Sequence, residues 1–263
     1  NCGNLTSEEY VNLANHQFVK LGLLGITVMV SSGDAGAPGR TSESCTAIEP
    51  AYPGASPWIT SVGATFVVAN NSAHHVYRTK MCLDFGCANG TKQAPTNFNY
   101  TSWTTGGGFG VFSSEATKKW QHNLVQEYLN SDVHLPNRTL WNQHGRGFPD
   151  VATIGHMCPV FFQGSPQGVD GTSCSSPVFA GMVAIWNQRR LEQGKPTLGF
   201  LNPLLYKMAS TNPNAFTQTE SGNNHCTEFQ CCSNDYGFET GSTQWNPVSG
   251  LGTPNFGVIS SLL

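Results

Sequence analysis

Ser173 is the first residue whose surroundings suggest chemistry. It lies in the stretch DGTSCSSPVFAGM, where small residues lead into the predicted first turn of a helix. The amide groups of a first helical turn are unpaired and carry partial positive charge, so an oxyanion formed beside the hydroxyl would be stabilised there. A serine at such a position can also simply cap the helix. The stretch alone leaves a nucleophile and a cap both open.

Asp34 is the second candidate, in the stretch SSGDAG. It follows GITVMVSS, a run rich in β-branched residues that is typical of a buried parallel strand. A carboxyl group at the C-terminal end of such a strand lies where α/β sheets bind their ligands. The alternative is a loop aspartate that hydrogen-bonds its own backbone in an Asx turn.

The elements that must position these two residues indicate an α/β fold, mostly a parallel sheet with helices on both faces. Thr6 and Glu9 have capping-box spacing at the start of one helix, and a second helix runs from Ser173 to near Gly194. The early half of the second helix is apolar on all sides, so we expect it to be buried. No linker or repeat interrupts residues 1–263, which favours one domain.

The overall composition excludes two classes of function. The chain has 263 residues, with 13 Lys and Arg against 16 Asp and Glu and a net charge of −3. Nucleic-acid binding requires a clustered basic excess, and the sequence contains no such cluster. The longest apolar stretch, LGLLGITVMV, is about half of the roughly 20 residues that span a bilayer, so no membrane span is expected.

Cysteines and glycosylation signals indicate the secretory pathway. There are nine cysteines, an odd number that leaves at least one thiol free or bonded to another chain. The sites that match the N-glycosylation pattern are Asn4, Asn70, Asn89, Asn99 and Asn137. Because the sequence begins with Asn1 and shows no signal peptide, we expect it to have been cut from a longer precursor.

Several motifs in register resemble the sedolisin family, the serine-carboxyl peptidases. DGTSCSSP at 170–177 is similar to the family's nucleophile motif SGTSxSxP, and SGDAG at 32–36 is similar to its oxyanion motif SGDSG. The further matches in the family's order are PGASPWITSVGAT, TGGGFG, FPDVA, LGFLNPLLY and WNPVSGLGTPNF. The resemblance covers nearly the whole chain and is strongest to the branch of tripeptidyl-peptidase I and physarolisin.

The resemblance implies a subtilisin-like fold, with residues 1–263 forming the C-terminal portion of a single catalytic domain. It makes Ser173 the nucleophile and Asp34 the hydrogen-bond donor to the oxyanion. A carboxylic acid donates a hydrogen bond only while it is protonated, so Asp34 predicts a peptidase that acts in acid. The candidates for pairing with the substrate backbone are Gly33, Gly106, Gly107 and Gly108.

The family's general base is missing from this sequence. The family uses a glutamate oriented by an aspartate four residues later on one helix, and no glutamate here has that partner. The nearest pair, Glu127 and Asp132, has the wrong spacing, and no histidine lies in the HGT context of subtilisins. We therefore expect the pair on an N-terminal light chain of the same precursor that stays associated. The alternative is an inactive relative that acts as a binding protein.

The family's calcium site is altered in this sequence. Its two aspartates become Thr217 and Asn246, and its backbone positions fall near Gln218, Ser242 and Gln244. Calcium prefers anionic oxygen ligands, so we expect no tight calcium site and no cofactor.

Disulfides are expected to take the place of that site. Cys226, Cys231 and Cys232 lie between its two segments, and Cys45 is a plausible distant partner. A zinc site in this cluster is the alternative, but the secretory context favours disulfides.

Four other residues receive structural interpretations. Cys82 and Cys87 are expected to close a small loop, Cys174 to be an inert core thiol, and Asp170 to cap its loop.

The sequence leaves two points open. They are the choice between endopeptidase and tripeptidyl-peptidase, and the choice between a lysosomal or vacuolar and an extracellular location.

Overall fold

The computed structural model of the chain describes residues 5–40, 45–69, 91–115 and 117–263. The helices in these ranges are α1 Ser7–Leu23, α2 Phe98–Thr101, α3 His122–Leu129, α4 Thr172–Glu192, α5 Asn202–Thr211 and α6 Phe256–Leu262. The strands are β1 Met29–Ser31, β2 Thr60–Ala69, β3 Thr91–Pro95, β4 Gly108–Ser113, β5 Gly145–Phe148, β6 Val151–Ile154, β7 Cys158–Phe162, β8 Ser165–Val169, β9 Phe216–Thr217 and β10 Thr253–Pro254. Among the described helices, none is both long and apolar enough to cross a membrane.

The main sheet is built around β2. β1 runs parallel to it with Ser31 opposite Val62, and β6 runs parallel on its other side with Val151 opposite the same Val62. β3 adds an antiparallel strand along the later part of β2. The pairs β4–β5, β7–β8 and β9–β10 form small antiparallel sheets. The predicted α/β class with parallel strands is confirmed.

Helix α1 begins where its capping box predicts. The Glu9 N–H donates to the Thr6 hydroxyl at 3.2 Å, and the Thr6 N–H donates to the Glu9 carboxylate at 2.8 Å. These reciprocal bonds pair amides that a helix start otherwise leaves unpaired. Near the other end, Gly22 lets Phe200 pack close to the helix backbone. The cap at Thr6 and the contact with Phe200 therefore fix the two ends of α1, and β1 follows shortly after its C-terminal end.

Helix α4 lies against the main sheet and contacts β1, β2 and β6. Phe179, Val183 and Trp186 on its sheet-facing side are buried. The expectation that its early half is buried on all sides is wrong, because Val178 and Ile185 are 41% and 44% exposed. The physical reason is that the described residues provide a sheet on one side of this segment but leave its other side to solvent.

Strand β1 is shorter and less buried than the sequence predicts. Of the run GITVMVSS, only Met29–Ser31 is a strand, and its three residues are half-buried. The reason is again a missing neighbour, since among the described strands β1 pairs with β2 alone. A parallel strand with one partner exposes one edge of its backbone.

Asp150, in the FPDVA motif between β5 and β6, lies at the centre of a buried polar network. It accepts hydrogen bonds from the Ser61 N–H at 2.7 Å and the Tyr206 hydroxyl at 3.1 Å, and it forms an ion pair with the buried Arg146. Burial raises the pKa of Asp150, while Arg146 and the two donors oppose that shift. This network joins β2, β5 and α5 through Ser61, Arg146 and Tyr206.

The described cysteines form the disulfides Cys45–Cys232, Cys158–Cys174 and Cys226–Cys231. The first confirms that Cys45 pairs with the cysteine cluster. The zinc alternative is wrong, because the sulfurs of Cys226 and Cys231 are bonded to each other and cannot act as thiolate ligands beside His225.

The prediction that Cys174 is an inert core thiol is wrong as well. Cys174 is bonded to Cys158 at the start of the β7–β8 hairpin, so it fixes this hairpin to the first turn of α4. The sequence did not indicate this bond because the hairpin that brings Cys158 into reach was not predicted. The loop expected between Cys82 and Cys87 lies outside the described residues.

Candidate active site

Ser173 is the second residue of α4 and is exposed. The cap position belongs to Gly171, whose φ of +135° favours glycine and whose side chain cannot cap. The alternative in which Ser173 only caps the helix is therefore wrong.

Asp34 follows β1 and reaches the start of α4. Its Oδ1 accepts hydrogen bonds from the N–H and the hydroxyl of Thr172, each at 2.7 Å. The Thr172 hydroxyl in turn accepts a hydrogen bond from the Gly33 N–H at 3.2 Å. Asp34 thus supplies the helix cap that Gly171 lacks. The Asx-turn alternative does not describe it, because these bonds reach a residue 138 positions away.

The second carboxylate oxygen of Asp34, Oδ2, has no hydrogen bond to any described residue. Arg40 lies near it, with Nη2 at 3.7 Å, but the Arg40 Nε donates to Glu228 at 2.6 Å. One oxygen of Asp34 is therefore held by α4, and the other is left to carry a proton or meet a ligand.

Ser173 and Asp34 line the same cleft, which has a volume of about 430 Å³. Its walls come from the residues after β1, from residues 49–51 and from the start of α4. Clefts of this size at the C-terminal ends of parallel strands are common ligand sites. The structure thus brings together the two residues that the sequence singled out.

The glycines predicted to contact substrate lie in two different settings. Gly33 lines the cleft, whereas Gly106, Gly107 and Gly108 are buried and do not line it. The Gly106 N–H donates to the Gly33 carbonyl at 2.7 Å, and a side chain at Gly107 would collide with the carbonyl of Pro247. Close packing explains these small residues, and their contact with substrate stays a prediction.

Asp170 fixes the residues just before the nucleophile. Its Oδ1 accepts a hydrogen bond from the Met157 N–H at 2.6 Å and lies 3.0 Å from Nδ1 of the buried His156. Burial would raise the pKa of Asp170, but hydrogen bonds from His156 and Met157 outweigh it, so the pKa lies below its usual value. These contacts join Asp170 to the segment before the β7–β8 hairpin, and the sequence did not indicate the partner His156; the loop cap itself stays a prediction.

Two further links join the same segments. The Gly171 N–H donates to the Gly155 carbonyl at 2.9 Å, and the Cys158–Cys174 disulfide follows three residues later on each segment. The chain before the β7–β8 hairpin and the chain after it are therefore bound at several consecutive positions. Predicting the β7–β8 hairpin from the sequence would have indicated these contacts, because a hairpin places the residues before its first strand opposite those after its second strand.

Known proteins match this chain over nearly all of its length. It is 40% identical to physarolisin of Physarum polycephalum over 97% of the chain, and 33% identical to tripeptidyl-peptidase SED4 of Arthroderma otae over 97%. The chain belongs to the sedolisin family. It spans 45% and 39% of these two relatives, so less than half of their length is represented. No family profile matches the chain.

The fold of this sedolisin agrees with that of a solved structure. Pseudomonas sedolisin, a serine-carboxyl proteinase, superposes with a TM-score of 0.68 at 21% identity. The match covers 97% of this chain and 60% of the other. The subtilisin-like α/β fold implied by the motifs is thereby confirmed.

The described part of this sedolisin contains no base in contact with Ser173. No side chain of the described ranges hydrogen-bonds its hydroxyl. Glu49 lines the cleft without a hydrogen bond to Ser173, whereas Glu127 in α3 and Asp132 do not line it. The candidate nucleophile and the candidate oxyanion donor are therefore both described, whereas no described side chain is placed to remove the proton from Ser173.

The residues at the family's calcium positions do not fit a cation. The Gln218 side chain donates through Nε2 to the carbonyls of Gln244 and Leu251, at 3.1 and 3.0 Å. The side-chain oxygen of Asn246 accepts hydrogen bonds from the N–H groups of Val248 and Ser249. Carbonyl and amide oxygens that could ligate calcium are thus already occupied by hydrogen-bond donors.

Two of the five predicted glycosylation sites lie within the described residues. Asn99 and Asn137 are exposed, as a carrier of a bulky glycan must be. Asn4, Asn70 and Asn89 lie outside the described residues. All five sites stay predictions.

Proposed function

We propose that this chain is the nucleophile-bearing part of an acid-acting serine-carboxyl peptidase. The observation that carries the proposal is the meeting of Ser173 and Asp34 in one cleft at the start of α4, where the Oδ2 of Asp34 has no hydrogen bond to a described residue. Membership of the sedolisin family supports it. Two relatives named tripeptidyl-peptidases are 33% and 31% identical to the chain, over 97% and 95% of its length.

In this mechanism the Ser173 Oγ attacks the scissile carbonyl carbon while its proton passes to a glutamate. The carbonyl oxygen becomes an oxyanion and lies near the first-turn amides of α4. When the intermediate collapses, the glutamate returns the proton to the leaving amine, and an ester on Ser173 remains. Water then attacks the ester carbon and gives its proton to the glutamate. The bond from that carbon to the Ser173 Oγ breaks, the glutamate returns the proton to Oγ, and the second product leaves with a free carboxyl group.

Asp34 donates the hydrogen bond to the oxyanion. Because Oδ1 accepts two hydrogen bonds from Thr172, the proton resides on Oδ2. Protonation of this oxygen requires acid, whereas an amide donor in its place would not, so the proposed activity is confined to low pH. The bonds from Thr172 keep the carboxyl group oriented before substrate arrives, which is the preorganisation that oxyanion stabilisation requires.

The glutamate, with an aspartate that orients it, is supplied by an associated light chain of the same precursor. The support is the exposed Ser173 hydroxyl without a base among the described residues, together with relatives whose length is more than twice the part matched here. The three disulfides support maturation in an oxidising compartment, which fits a secreted protein or one of the lysosome or vacuole.

The test is peptide hydrolysis at pH 3–6 by the natively purified protein, compared with two serine variants. Ser173→Ala is expected to reduce kcat by at least about a thousand-fold, since the nucleophile is lost. Ser210→Ala is the matched control, because it removes only a hydroxyl that bonds the Tyr206 carbonyl within α5. Full activity in Ser173→Ala would end the peptidase proposal. Products longer or shorter than tripeptides would separate the endopeptidase from the tripeptidyl-peptidase.

A binding protein without activity is the second candidate, favoured by the absence of a base among the described residues. It predicts no turnover at any pH and no labelling of Ser173 by a fluorophosphonate. A labelled Ser173 in the natively purified protein would exclude this candidate.

A further inference from the structure

His156 is a buried histidine that the proposed mechanism does not use. It follows β6, is 9% exposed, and its Nδ1 lies 3.0 Å from Oδ1 of Asp170. The ring of the buried Phe66, on β2, meets the imidazole edge-on, with ring centroids 6.3 Å apart. The imidazole is therefore held between the main sheet and the residue that precedes Gly171.

Met157, the residue after His156, has an unusual backbone conformation. Its φ of +53° lies in the left-handed region, which costs free energy for residues other than glycine. Its N–H donates to the same Oδ1 of Asp170 at 2.6 Å. Conformations of this kind persist where the surrounding contacts enforce them, and they are concentrated at functional sites. The turn at Met157 thus brings a side chain and a backbone amide to one carboxylate oxygen.

The residue after Asp170 packs against both members of the proposed reaction centre. A Cβ on Gly171 would lie 3.5 Å from Oδ2 of Asp34 and 3.4 Å from the backbone nitrogen of Ser173. The Gly171 N–H donates to the Gly155 carbonyl at 2.9 Å. Residues 155–157 therefore hold the backbone that separates the candidate oxyanion donor from the candidate nucleophile.

The family motif does not account for the contact between His156 and Asp170. The nucleophile motif SGTSxSxP has a serine where this chain has Asp170. A serine side chain is shorter than that of aspartate and carries no charge. The contact is therefore a property of this chain that the motif does not imply.

We propose that His156 is a positioning residue for the peptidase reaction and acts through Asp170. The inference rests on the proposed function. Neither side chain lines the cleft, so neither touches substrate there. By holding Asp170, His156 fixes the Gly171 backbone and with it the separation of Asp34 and Ser173. That separation matters most in the transition state, when the nucleophile and the oxyanion donor act on the same carbonyl group.

A purely structural role is the alternative, and other contacts make the two roles separable. The Thr153 hydroxyl donates to the Ser175 carbonyl at 2.8 Å, the Ser175 hydroxyl donates to the Thr153 carbonyl at 3.1 Å, and the Cys158–Cys174 disulfide joins the same segments. These links remain when the His156 contact is removed, so its loss displaces the backbone only locally. A structural role would lower Tm alone, whereas a positioning role lowers kcat with little change in KM.

The test compares two substitutions of His156 in the natively purified protein, with peptide hydrolysis measured in acid. His156→Leu removes the imidazole nitrogen, and we expect kcat to fall about 10- to 100-fold, as a small misplacement of reacting groups does. KM should change by less than about three-fold. His156→Asn places an amide nitrogen where Nδ1 lies relative to the backbone, so it should recover most of the lost kcat.

Tyr206→Phe is the control for stability. It removes a hydroxyl that donates to Asp150 at 3.1 Å and accepts from Gln121 at 2.8 Å, and none of these groups belongs to residues 155–173. It should lower Tm and leave kcat unchanged at temperatures below Tm. His156→Leu with the same pattern as this control would overturn the inference, and so would equal losses of kcat in the two His156 variants.

Asp170→Ser breaks the same contact from its other side and keeps the inference testable if His156→Leu does not fold. It introduces the residue of the family motif, and it should lower kcat with KM nearly unchanged. Unaltered kcat in Asp170→Ser would contradict the inference and leave the peptidase standing. A wild-type protein that hydrolyses no peptide would end the proposed function and this inference with it, so the activity of the wild type distinguishes the two failures.

Discussion

Asp34 and Asp150 are aspartates at the ends of strands of the same sheet, and their surroundings differ. Asp150 is fully buried and both of its oxygens accept hydrogen bonds, Oδ2 from Ser61 and Arg146 and Oδ1 from Tyr206. Only Oδ1 of Asp34 accepts hydrogen bonds from described residues, and Oδ2 has the Arg40 guanidinium at 3.7 Å in a cleft that also holds Ser173. A carboxylate whose two oxygens both accept hydrogen bonds inside the protein stabilises the fold, whereas one with an oxygen free of hydrogen bonds at a cleft is available for chemistry.

The largest expected effect comes from the structural member of this pair. Asp150→Asn removes the charge that compensates the buried Arg146, so at neutral pH we expect the free energy of unfolding to fall by about 3–5 kcal/mol. Urea unfolding of the purified protein measures this. The exposed Asp235→Asn is the control and should change it by less than about 0.5 kcal/mol. A loss for Asp150→Asn no larger than that of the control would break the comparison.

Asp34, the proposed oxyanion donor, should show the reverse pattern: its substitution should strongly lower turnover and change stability little. Asp34→Ala is expected to lower kcat by about a hundred- to thousand-fold, as loss of one oxyanion donor does. Its cost in stability is about 1 kcal/mol, the value of a helix cap. Equal losses of stability in Asp34→Ala and Asp150→Asn would contradict the contrast between them.

Asp34→Asn sharpens this prediction through pH. An amide donates without being protonated, so the variant should keep its activity at pH values where the wild type has lost it. The pH profile of kcat measures this. A profile that coincides with that of the wild type would show that Asp34 is not the oxyanion donor.

Asp170 is a third aspartate, which lies just before Ser173 in the chain and pairs with the buried His156. Its folded pKa lies below its usual value, so the folded protein gains stability from it above the usual carboxyl range, about pH 4, and loses this gain as pH falls through the folded pKa. Asp170→Asn should therefore lower Tm at neutral pH and approach the wild type near pH 2. Thermal unfolding between pH 2 and 7 measures it. A difference in Tm that grows towards acid would have the wrong sign.

The smallest expected effect concerns the region of the family's calcium site, where the side chains of Gln218 and Asn246 hydrogen-bond to the backbone. Because Gln218 donates to the carbonyls of Gln244 and Leu251, we expect neither a chelator nor added calcium to change Tm. Gln218→Ala should cost about 1 kcal/mol per hydrogen bond lost. A clear rise in Tm with calcium would show that a cation site exists after all.

The sequence predicts the local features of this molecule well. The capping box at Thr6, the helix after Ser173 and the acid after β1 all depend on residues close to each other in the chain. The motifs identified Ser173 and Asp34 but not the contact that joins them through Thr172, because that bond depends on how two distant segments meet.

Other features required the structure because they depend on distant partners. The pair of His156 and Asp170 and the Cys158–Cys174 bond follow from a hairpin whose strands carry no clear alternation of polar and apolar residues. The exposed side of α4 could not be predicted either. Apolar residues on all sides indicate a buried helix, but they do not say which side of it the described residues leave exposed.

The Cys158–Cys174 disulfide has a consequence for the lifetime of the protein among proteases. The tip of the β7–β8 hairpin, at Gln163 and Gly164, is exposed, and exposed loop tips are preferred sites of proteolytic cleavage. Because the disulfide joins the chain before the hairpin to the first turn of α4, a cut at the tip leaves both fragments covalently connected. A molecule nicked there would keep Ser173 in place, and only reduction would reveal that its backbone had been broken.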